Sequence, residues 1–142
     1  MGKTIKRSFF EADEVLFVGY SKRHESFCEA IAEAYRKRGA AVYPVNPKPE
    51  AFSAKVWPRI EDVEGKPTFA YVLTNKKHNA AVVEALAARG VQRVLFQSSV
   101  SADKAILDRC AELGMEAALG CPMMVLGGGF HRFHGFLAGV RK

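Results

Sequence analysis

Long hydrophobic runs are missing from this 142-residue chain, although 49% of its residues are hydrophobic. A membrane-spanning helix needs about 18 to 20 consecutive apolar residues, so none is expected here. The first seven residues also lack the apolar core and the cleavage site of a signal peptide. The length suits one compact domain with a buried core, and it is too short for a nucleotide-binding domain plus a full catalytic domain.

Cysteine is scarce, and its count is odd. Cys28, Cys110 and Cys121 are widely spaced, which favours reduced thiols and a cytoplasmic location over a disulfide framework. Cys28 and Cys110 fall on the apolar faces of predicted helices, so both are interpreted as core residues. Cys121 precedes Pro122 and is interpreted as a half-buried structural cysteine.

Acidic residues are outnumbered by basic ones, 15 to 21, which gives a net charge of +6. Such a balance predicts a polyanionic partner without naming it. Nucleic acid, a membrane surface and a phosphorylated cofactor all fit the charge alone.

Five short apolar runs alternate with helical patterns along the chain. This alternation predicts an α/β domain with a parallel sheet and helices on both faces. Pro44 interrupts the second run, so the second strand is expected to lie at an edge or to end early. The predicted strands are residues 15–18, 41–45, 69–74, 93–97 and 115–119.

Three helices are predicted after the first, third and fourth strands. Ser21 and Ser26 are the candidate caps of a first helix that runs to about Arg38, and Ser101 is the candidate cap of the last one, which runs to Leu113. The middle helix is predicted over residues 80–89. Residues 51–63 are expected to be irregular or weakly helical.

The two ends of the chain are interpreted separately from the domain at residues 14–126. Residues 1–13 are predicted to form an N-terminal arm or a short helix, and residues 127–142 a basic helix or tail. The tail is also the candidate surface for a homodimer or a protein partner. It contains His131 and His134, but this spacing lacks matched ligands, and we predict no metal site.

Basic residues cluster in the loops that follow the first three strands. Because parallel strands all end at one edge of the sheet, these loops are expected to converge there. Two of the clusters lie at helix starts, where a cation beside the positive end of the helix dipole is unfavourable and a bound polyanion would relieve the conflict. The alternative is a solvated basic rim. The three clusters are Lys22-Arg23-His24, Asn46-Pro47-Lys48 and Lys76-Lys77-His78.

The sequence lacks the glycine motif of dinucleotide-binding sites, and this limits which phosphorylated cofactor the basic loops could bind. A dinucleotide fingerprint requires G-x-G-x-x-G, and here Gly19 is followed by no further glycine until Gly39. An NAD site also places an acidic residue after the second strand, whereas this chain has Asn46 and Lys48. The pattern therefore favours NADP or coenzyme A (CoA) over NAD.

Short motifs at the ends of the predicted strands are similar to those of a known family. From about residue 14 to 126 the chain resembles the small stand-alone CoA-binding proteins, whose Rossmann-like domain is similar to the CoA-binding domain of the succinyl-CoA synthetase α subunit. The matching motifs, in the family's order, are Gly19-Tyr20-Ser21, Val45-Asn46-Pro47-Lys48, Thr74-Asn75, Gln97 and Cys121-Pro122.

The resemblance implies a five-stranded parallel sheet of order 3-2-1-4-5 with CoA across its carboxyl edge. It implies that Gly19 and Ser21 approach the pyrophosphate and that Asn46, Pro47 and Lys48 hold the adenosine end with its 3′-phosphate. It places Thr74 and Asn75 beside the adenine or ribose, and Gln97 and Cys121 near the pantetheine. In this chain Tyr20 replaces a common alanine, Ser26-Phe27-Cys28 replaces Arg-Pro-Ser, and Gly120 replaces an arginine. Lys22, Arg23 and Lys76 are candidates to compensate.

No catalytic motif accompanies these binding residues, so the leading hypothesis is non-catalytic binding of CoA or an acyl-CoA, as a sensor or regulatory module. A second hypothesis is an NADP-dependent or acyl-CoA-handling enzyme, in which His24, His78 or a reactive Cys121 would act. Cys121 forming a mixed disulfide with CoA belongs with this second interpretation. A third is nucleic-acid binding, but the aromatic residues fall inside strand and helix patterns rather than between the basic residues, which disfavours it.

Overall fold

Five strands form one all-parallel sheet in the computed structural model, which describes residues 5–6, 12–122 and 140–141. They are β1 (Glu14–Val18), β2 (Ala41–Val45), β3 (Phe69–Val72), β4 (Arg93–Phe96) and β5 (Glu116–Leu119). The helices are α1 (Glu25–Lys37), α2 (Lys76–Ala88) and α3 (Lys104–Glu112). The predicted α/β class with a five-stranded parallel sheet is confirmed.

The strand order is 2-1-3-4-5, and this differs from the expected 3-2-1-4-5. β3 pairs directly with β1, with Leu16 opposite Ala70, instead of lying beyond β2. All four residues of β3 are buried, which requires neighbours on both sides as well as on both faces. The other three neighbour relations, β1 with β2, β3 with β4 and β4 with β5, are those of adjacent strands in the chain.

The position of β2 at the edge of the sheet is confirmed, and its proline suits that position. Trp57 covers its outer side: the Trp57 N–H donates to the Pro44 carbonyl over 2.9 Å, and the Asn46 N–H donates to the Trp57 carbonyl over 2.9 Å. Trp57 therefore pairs with backbone groups of β2 that would otherwise be unpaired at the edge of the sheet.

Helices cover both faces of the sheet, as predicted, and the alternation of side chains along β1 shows why. Val15 and Phe17 pack on the face covered by α1, whereas Leu16 and Val18 pack on the face covered by α2 and α3. All four side chains are buried. Fully burying a side chain of this size contributes about 1.5 to 3 kcal/mol, so β1 anchors both halves of the core.

The helix starts differ from those predicted. Ser26 is the second residue of α1 and caps nothing, while Ser21 accepts a hydrogen bond from the His24 N–H just before the helix. The helix α2 begins four residues earlier than expected, because the Asn75 side chain accepts from the Lys77 N–H and caps it there. Asp103, not Ser101, caps α3 by accepting from the Ile106 N–H.

The connection from β2 to β3 is irregular, in line with the prediction for residues 51–63. It contains two short 3₁₀ helices, Pro49–Ala51 and Ile60–Asp62. The two-residue strands Ile5–Lys6 and Val140–Arg141 pair with each other in parallel, apart from the main sheet. The rest of the predicted arm and tail lies outside the described residues, so the domain bounds stay predictions. Within the described part of the chain, no helix is long and apolar enough to span a membrane.

Candidate functional site

The loops after β1 and β2 are joined by direct hydrogen bonds at the carboxyl edge. The backbone N–H groups of Gly19 and Tyr20 both donate to the Val45 carbonyl, over 3.2 and 3.3 Å. The Asn46 side-chain amide donates to the Tyr20 carbonyl over 2.8 Å. Two of the predicted basic loops therefore form one surface.

Gly19 brings the same turn against the loop after β3. Its φ is +89°, a left-handed conformation that a side chain disfavours. A Cβ atom there would lie 2.8 Å from the Thr74 nitrogen and 2.9 Å from the Thr74 methyl carbon. Only a glycine permits this approach, so the three loops meet around this position.

Asn79 ties the loop after β3 to the loop after β4, and sequence analysis missed it. Its side chain is fully buried: Oδ1 accepts from the Thr74 hydroxyl over 2.7 Å, and Nδ2 donates to the carbonyls of Thr74 and Ser101 over 2.9 and 2.6 Å. The signal was present, because Asn79 occupies the apolar stripe of α2 that continues at Val83 and Leu86.

The N-terminus of α1 is the point in this surface best suited to an anion. α2 and α3 each have a side-chain cap, whereas the N-cap position of α1, His24, makes no side-chain cap hydrogen bond. The backbone N–H groups of the first turn thus face the edge without a side-chain acceptor, and the helix dipole adds positive potential. Ser26 is exposed in this turn.

The five predicted cations all lie exposed at the carboxyl edge, but they are not equivalent. Lys22 forms an ion pair with Glu25 at 2.9 Å, and its ammonium also lies 5.7 Å from the centre of the Phe52 ring. Within the described residues no ion pair engages the other four, Arg23, Lys48, Lys76 and Lys77. These four leave their charge available to a ligand.

Tyr20 contributes backbone rather than side chain to the site. Its ring is 1% exposed and packs edge-on against Phe17 and Phe52, with centroids 5.3 Å apart in each pair. Its hydroxyl donates to Glu29 over 2.6 Å. Burial and this bond raise the pKa of Tyr20, so the hydroxyl stays a donor held by the core.

The amide and hydroxyl side chains predicted for the adenosine end are occupied within the protein. Asn46 Oδ1 accepts from the Lys48 N–H over 2.8 Å, so Asn46 bonds both to its own loop and to the loop after β1. The Thr74 hydroxyl is bound to Asn79, and Asn75 caps α2. These residues shape the surface on which Pro47 and Lys48 are exposed.

Gln97 and Cys121 lie on the β4 and β5 side of the edge. The Tyr71 hydroxyl donates to Gln97 Oε1, and burial raises the pKa of Tyr71, so that hydroxyl stays protonated. Cys121 is half-buried against the core on the α1 side. Cys28 and Cys110 are buried, as predicted.

No group of three or more His, Cys, Asp or Glu residues in the described part of the chain is arranged to hold a metal ion. His131 and His134 lie outside that part.

Comparison with solved structures finds the same fold in small proteins and in a larger enzyme. A protein called Prb, described as PH1109 redesigned for binding, has a TM-score of 0.74 at 21% identity, covering 94% of this chain and 89% of that one. A hypothetical protein from Pyrococcus horikoshii gives 0.71 at 22%, covering 85% and 88%. A dinucleotide-forming acetyl-coenzyme A synthetase from Ca. Korarchaeum cryptofilum gives 0.63 at 21%, covering 78% of this chain and 26% of that one. Among curated proteins no relative matches.

The sheet, the glycine turn after β1 and the basic carboxyl edge define a Rossmann-like nucleotide-binding domain. The chain matches the CoA binding domain family over residues 13–127 and belongs to that family. Membership confirms the resemblance inferred from the strand-end motifs, and it supports CoA as the small-molecule ligand.

Proposed function

We propose that this protein binds CoA across the carboxyl edge of the sheet, without catalysis, and that it acts as a sensor or regulatory module. The observation that carries the proposal is the joining of three basic loops around Gly19. The cations of this surface that form no ion pair within the described residues are complementary in charge to a ligand with several phosphate groups.

The phosphates of CoA are assigned from the electrostatics of the loops. The pyrophosphate lies at the turn Gly19 to Ser21 and the uncapped start of α1, where backbone N–H groups and the dipole favour an anion. Lys48, exposed beyond β2, contacts the 3′-phosphate of the adenosine. Thr74 and Asn75 line the adenine or ribose between these two points.

The polar side chains at the carboxyl edge are engaged in hydrogen bonds within the protein, which favours binding over catalysis. Asn46, Thr74, Asn75 and Gln97 each engage another group of the protein. Tyr71 has a raised pKa, so its hydroxyl is not a base. The polar groups that line the edge thus hold a surface in place, which suits binding.

The test is a calorimetric titration of the nucleotide-free protein with CoA, dephospho-CoA and NADP. We expect CoA to bind best, and loss of the 3′-phosphate to cost about 1 kcal/mol or more, since a charge-assisted contact is removed. Lys48→Ala should remove that difference. Lys55→Ala is the matched control, because Lys55 lies on the same connection but is held by Glu64 at 3.1 Å.

Two results would contradict the proposal. NADP binding as tightly as CoA would reassign the ligand. Equal affinity for CoA and dephospho-CoA would remove Lys48 from the site. A steep loss of nucleic-acid affinity with salt would instead support the third hypothesis, since it reports many phosphate contacts.

A further inference from the structure

We propose that the site takes acyl-CoA thioesters with an apolar acyl chain, and that Val100 and Leu119 contact that chain. This inference rests on the CoA site proposed above. It is carried by the uneven distribution of charge and of exposed apolar side chains along the carboxyl edge.

Charge changes from one end of the edge to the other. The loops after β2, β1 and β3 carry the five cations described above. The loop after β4, residues 97–103, has a single charged residue, the acidic Asp103, and residues 120–122 after β5 have none. Lys104, the first residue of α3, is ion-paired with Asp108 at 2.7 Å. A ligand that is anionic at one end and neutral at the other matches this gradient.

The length of the pantetheine arm of CoA matches the distance from β1 to β5. From β1 to β5 there are three strand spacings, which at about 4.8 Å each give about 14 Å. The pantetheine arm has about as many backbone bonds as four peptide residues, and extended it spans about 14 Å. With the pyrophosphate at β1, the sulfur atom therefore reaches the end of β5.

Exposed apolar side chains lie where the arm ends. Leu119 is the last residue of β5 and is 38% exposed, and it pairs with Phe96 at the end of β4. Val100, four residues beyond Phe96, is 59% exposed, and its carbonyl accepts from the Lys76 N–H over 2.9 Å, where the uncharged part of the edge adjoins the basic part. Covering these side chains with an acyl chain removes apolar surface from water, which a free thiol would not do.

Phe27 provides an internal control for the position of the acyl chain. It is the third large exposed hydrophobic residue in the described part of the chain, 39% exposed. It lies in the first turn of α1, on the side of the edge assigned to the phosphates. If the acyl chain bound non-specifically to any exposed apolar residue of the edge, Phe27 would contribute to its binding as well.

The experiment titrates CoA, acetyl-CoA and hexanoyl-CoA into the wild-type protein, the double variant Val100→Ser/Leu119→Ser, and Phe27→Ser. Each methylene group removed from water contributes up to about 0.8 kcal/mol, so partial cover of a six-carbon chain should make hexanoyl-CoA bind about tenfold more tightly than CoA. In the double variant this advantage should fall below about threefold, with the affinity for free CoA unchanged. Phe27→Ser should keep the full advantage.

The outcomes separate the two proposals. If CoA binds and hexanoyl-CoA gains nothing over it, the acyl inference is overturned while the CoA site stands. If Phe27→Ser removes the advantage and the double variant keeps it, the assignment to Val100 and Leu119 is overturned. If no CoA species binds, the proposed function itself fails. Thermal unfolding of each variant checks that the fold is kept.

Discussion

The two edges of the sheet use polar residues in different ways. At the amino edge, Glu14 Oε1 accepts from the Tyr43 hydroxyl over 2.8 Å and from the Lys66 N–H over 3.1 Å. Arg89 donates to the carbonyls of Val63 and Gly65 over 2.6 and 2.5 Å, and the Arg93 guanidinium lies over the Phe69 ring at 5.2 Å. Charged side chains here hold the connections between elements.

At the carboxyl edge, uncharged groups hold the loops and the cations stand apart from them. Asn46, Asn79 and the glycine turn join the loops, while Arg23, Lys48, Lys76 and Lys77 form no ion pair within the described residues. The amino edge also has a cleft of about 390 Å³, lined by Ala12, Asp13, Glu14, Lys66, Thr68 and Arg93. Its lining mixes both signs of charge, so a concave shape alone does not mark the site for a polyanion.

The largest effect expected at the carboxyl edge is that of Gly19→Ala. The new Cβ meets the Thr74 backbone in addition to the unfavourable φ of +89°. We expect a loss of about 3 kcal/mol or more in the free energy of unfolding, together with loss of CoA binding. Urea unfolding and calorimetry measure the two effects.

Gly39→Ala is the matched control for that substitution. Its φ is +87°, nearly the same, but a Cβ there meets nothing within 4 Å. It should cost about 1 kcal/mol, the backbone strain alone, and leave CoA affinity intact. Equal losses in the two variants would show that the contact between the Gly19 turn and Thr74 contributes nothing.

The next largest effect is expected for Asn79, a hydrogen-bonding side chain at the carboxyl edge, and we compare it with Glu14 at the amino edge. Asn79→Ala leaves the carbonyls of the half-buried Thr74 and the buried Ser101 without their donor, at a cost of about 2 to 4 kcal/mol, and it should weaken CoA binding by displacing Thr74. Glu14→Ala removes two bonds at a partly exposed position and should cost about 1 kcal/mol with CoA affinity unchanged. Weaker CoA binding in the Glu14 variant would break the distinction between the edges.

The strands were predictable from sequence, because a strand that is buried on both faces consists almost entirely of apolar residues. Val15 to Val18 form an apolar, largely β-preferring run of the kind that suits a strand buried on both faces. The strand order was not predictable from the apolar runs, because each run is equally able to pair with the others. Pro44 was the one local signal for it: a proline at an edge position is incompatible with the order 3-2-1-4-5, which places the second strand inside the sheet.

The location of the polar residues at the carboxyl edge was predictable from sequence, but their hydrogen-bond partners were not. The strand-end motifs located the residues of the edge, since parallel strands end together. The partners of Asn46, Thr74 and Gln97 depend on loops distant in sequence, so their intramolecular bonds were not visible in the motifs. Ser101 was similarly expected to cap α3, yet its carbonyl is the acceptor for Asn79.

A moderate effect is expected on two buried thiols. Cys28 accepts from the Ser21 N–H beneath the proposed pyrophosphate position, whereas Cys110 lies in α3 away from it. Burial raises the pKa of both thiols, that of Cys110 to about 11, so at pH 8 both are protonated and alkylation requires local opening. At a CoA concentration ten times its Kd, alkylation of Cys28 should slow about tenfold and that of Cys110 should not.

Mass spectrometry of alkylated peptides measures both thiols in one sample. Equal protection of Cys28 and Cys110 would mean that the carboxyl edge opens only with the whole domain. Raising the pH should speed alkylation of both, because a larger fraction of each thiol exposed by local opening is then ionised.

The smallest effect on CoA affinity is expected from removing a single exposed lysine, and we compare one lysine from each edge of the sheet. Lys76 lies at the start of α2 on the carboxyl edge, and Lys66 lines the cleft at the amino edge. Neither forms an ion pair within the described residues, so removing either should hardly change stability. Lys76→Ala should weaken CoA binding about fivefold at low salt, and less at high salt, because an exposed charge is screened. Lys66→Ala should leave the affinity unchanged at both salt concentrations. Equal weakening by the two substitutions would mean that CoA senses only the net charge of the protein, and the difference between the edges would then be one of structure without consequence for binding.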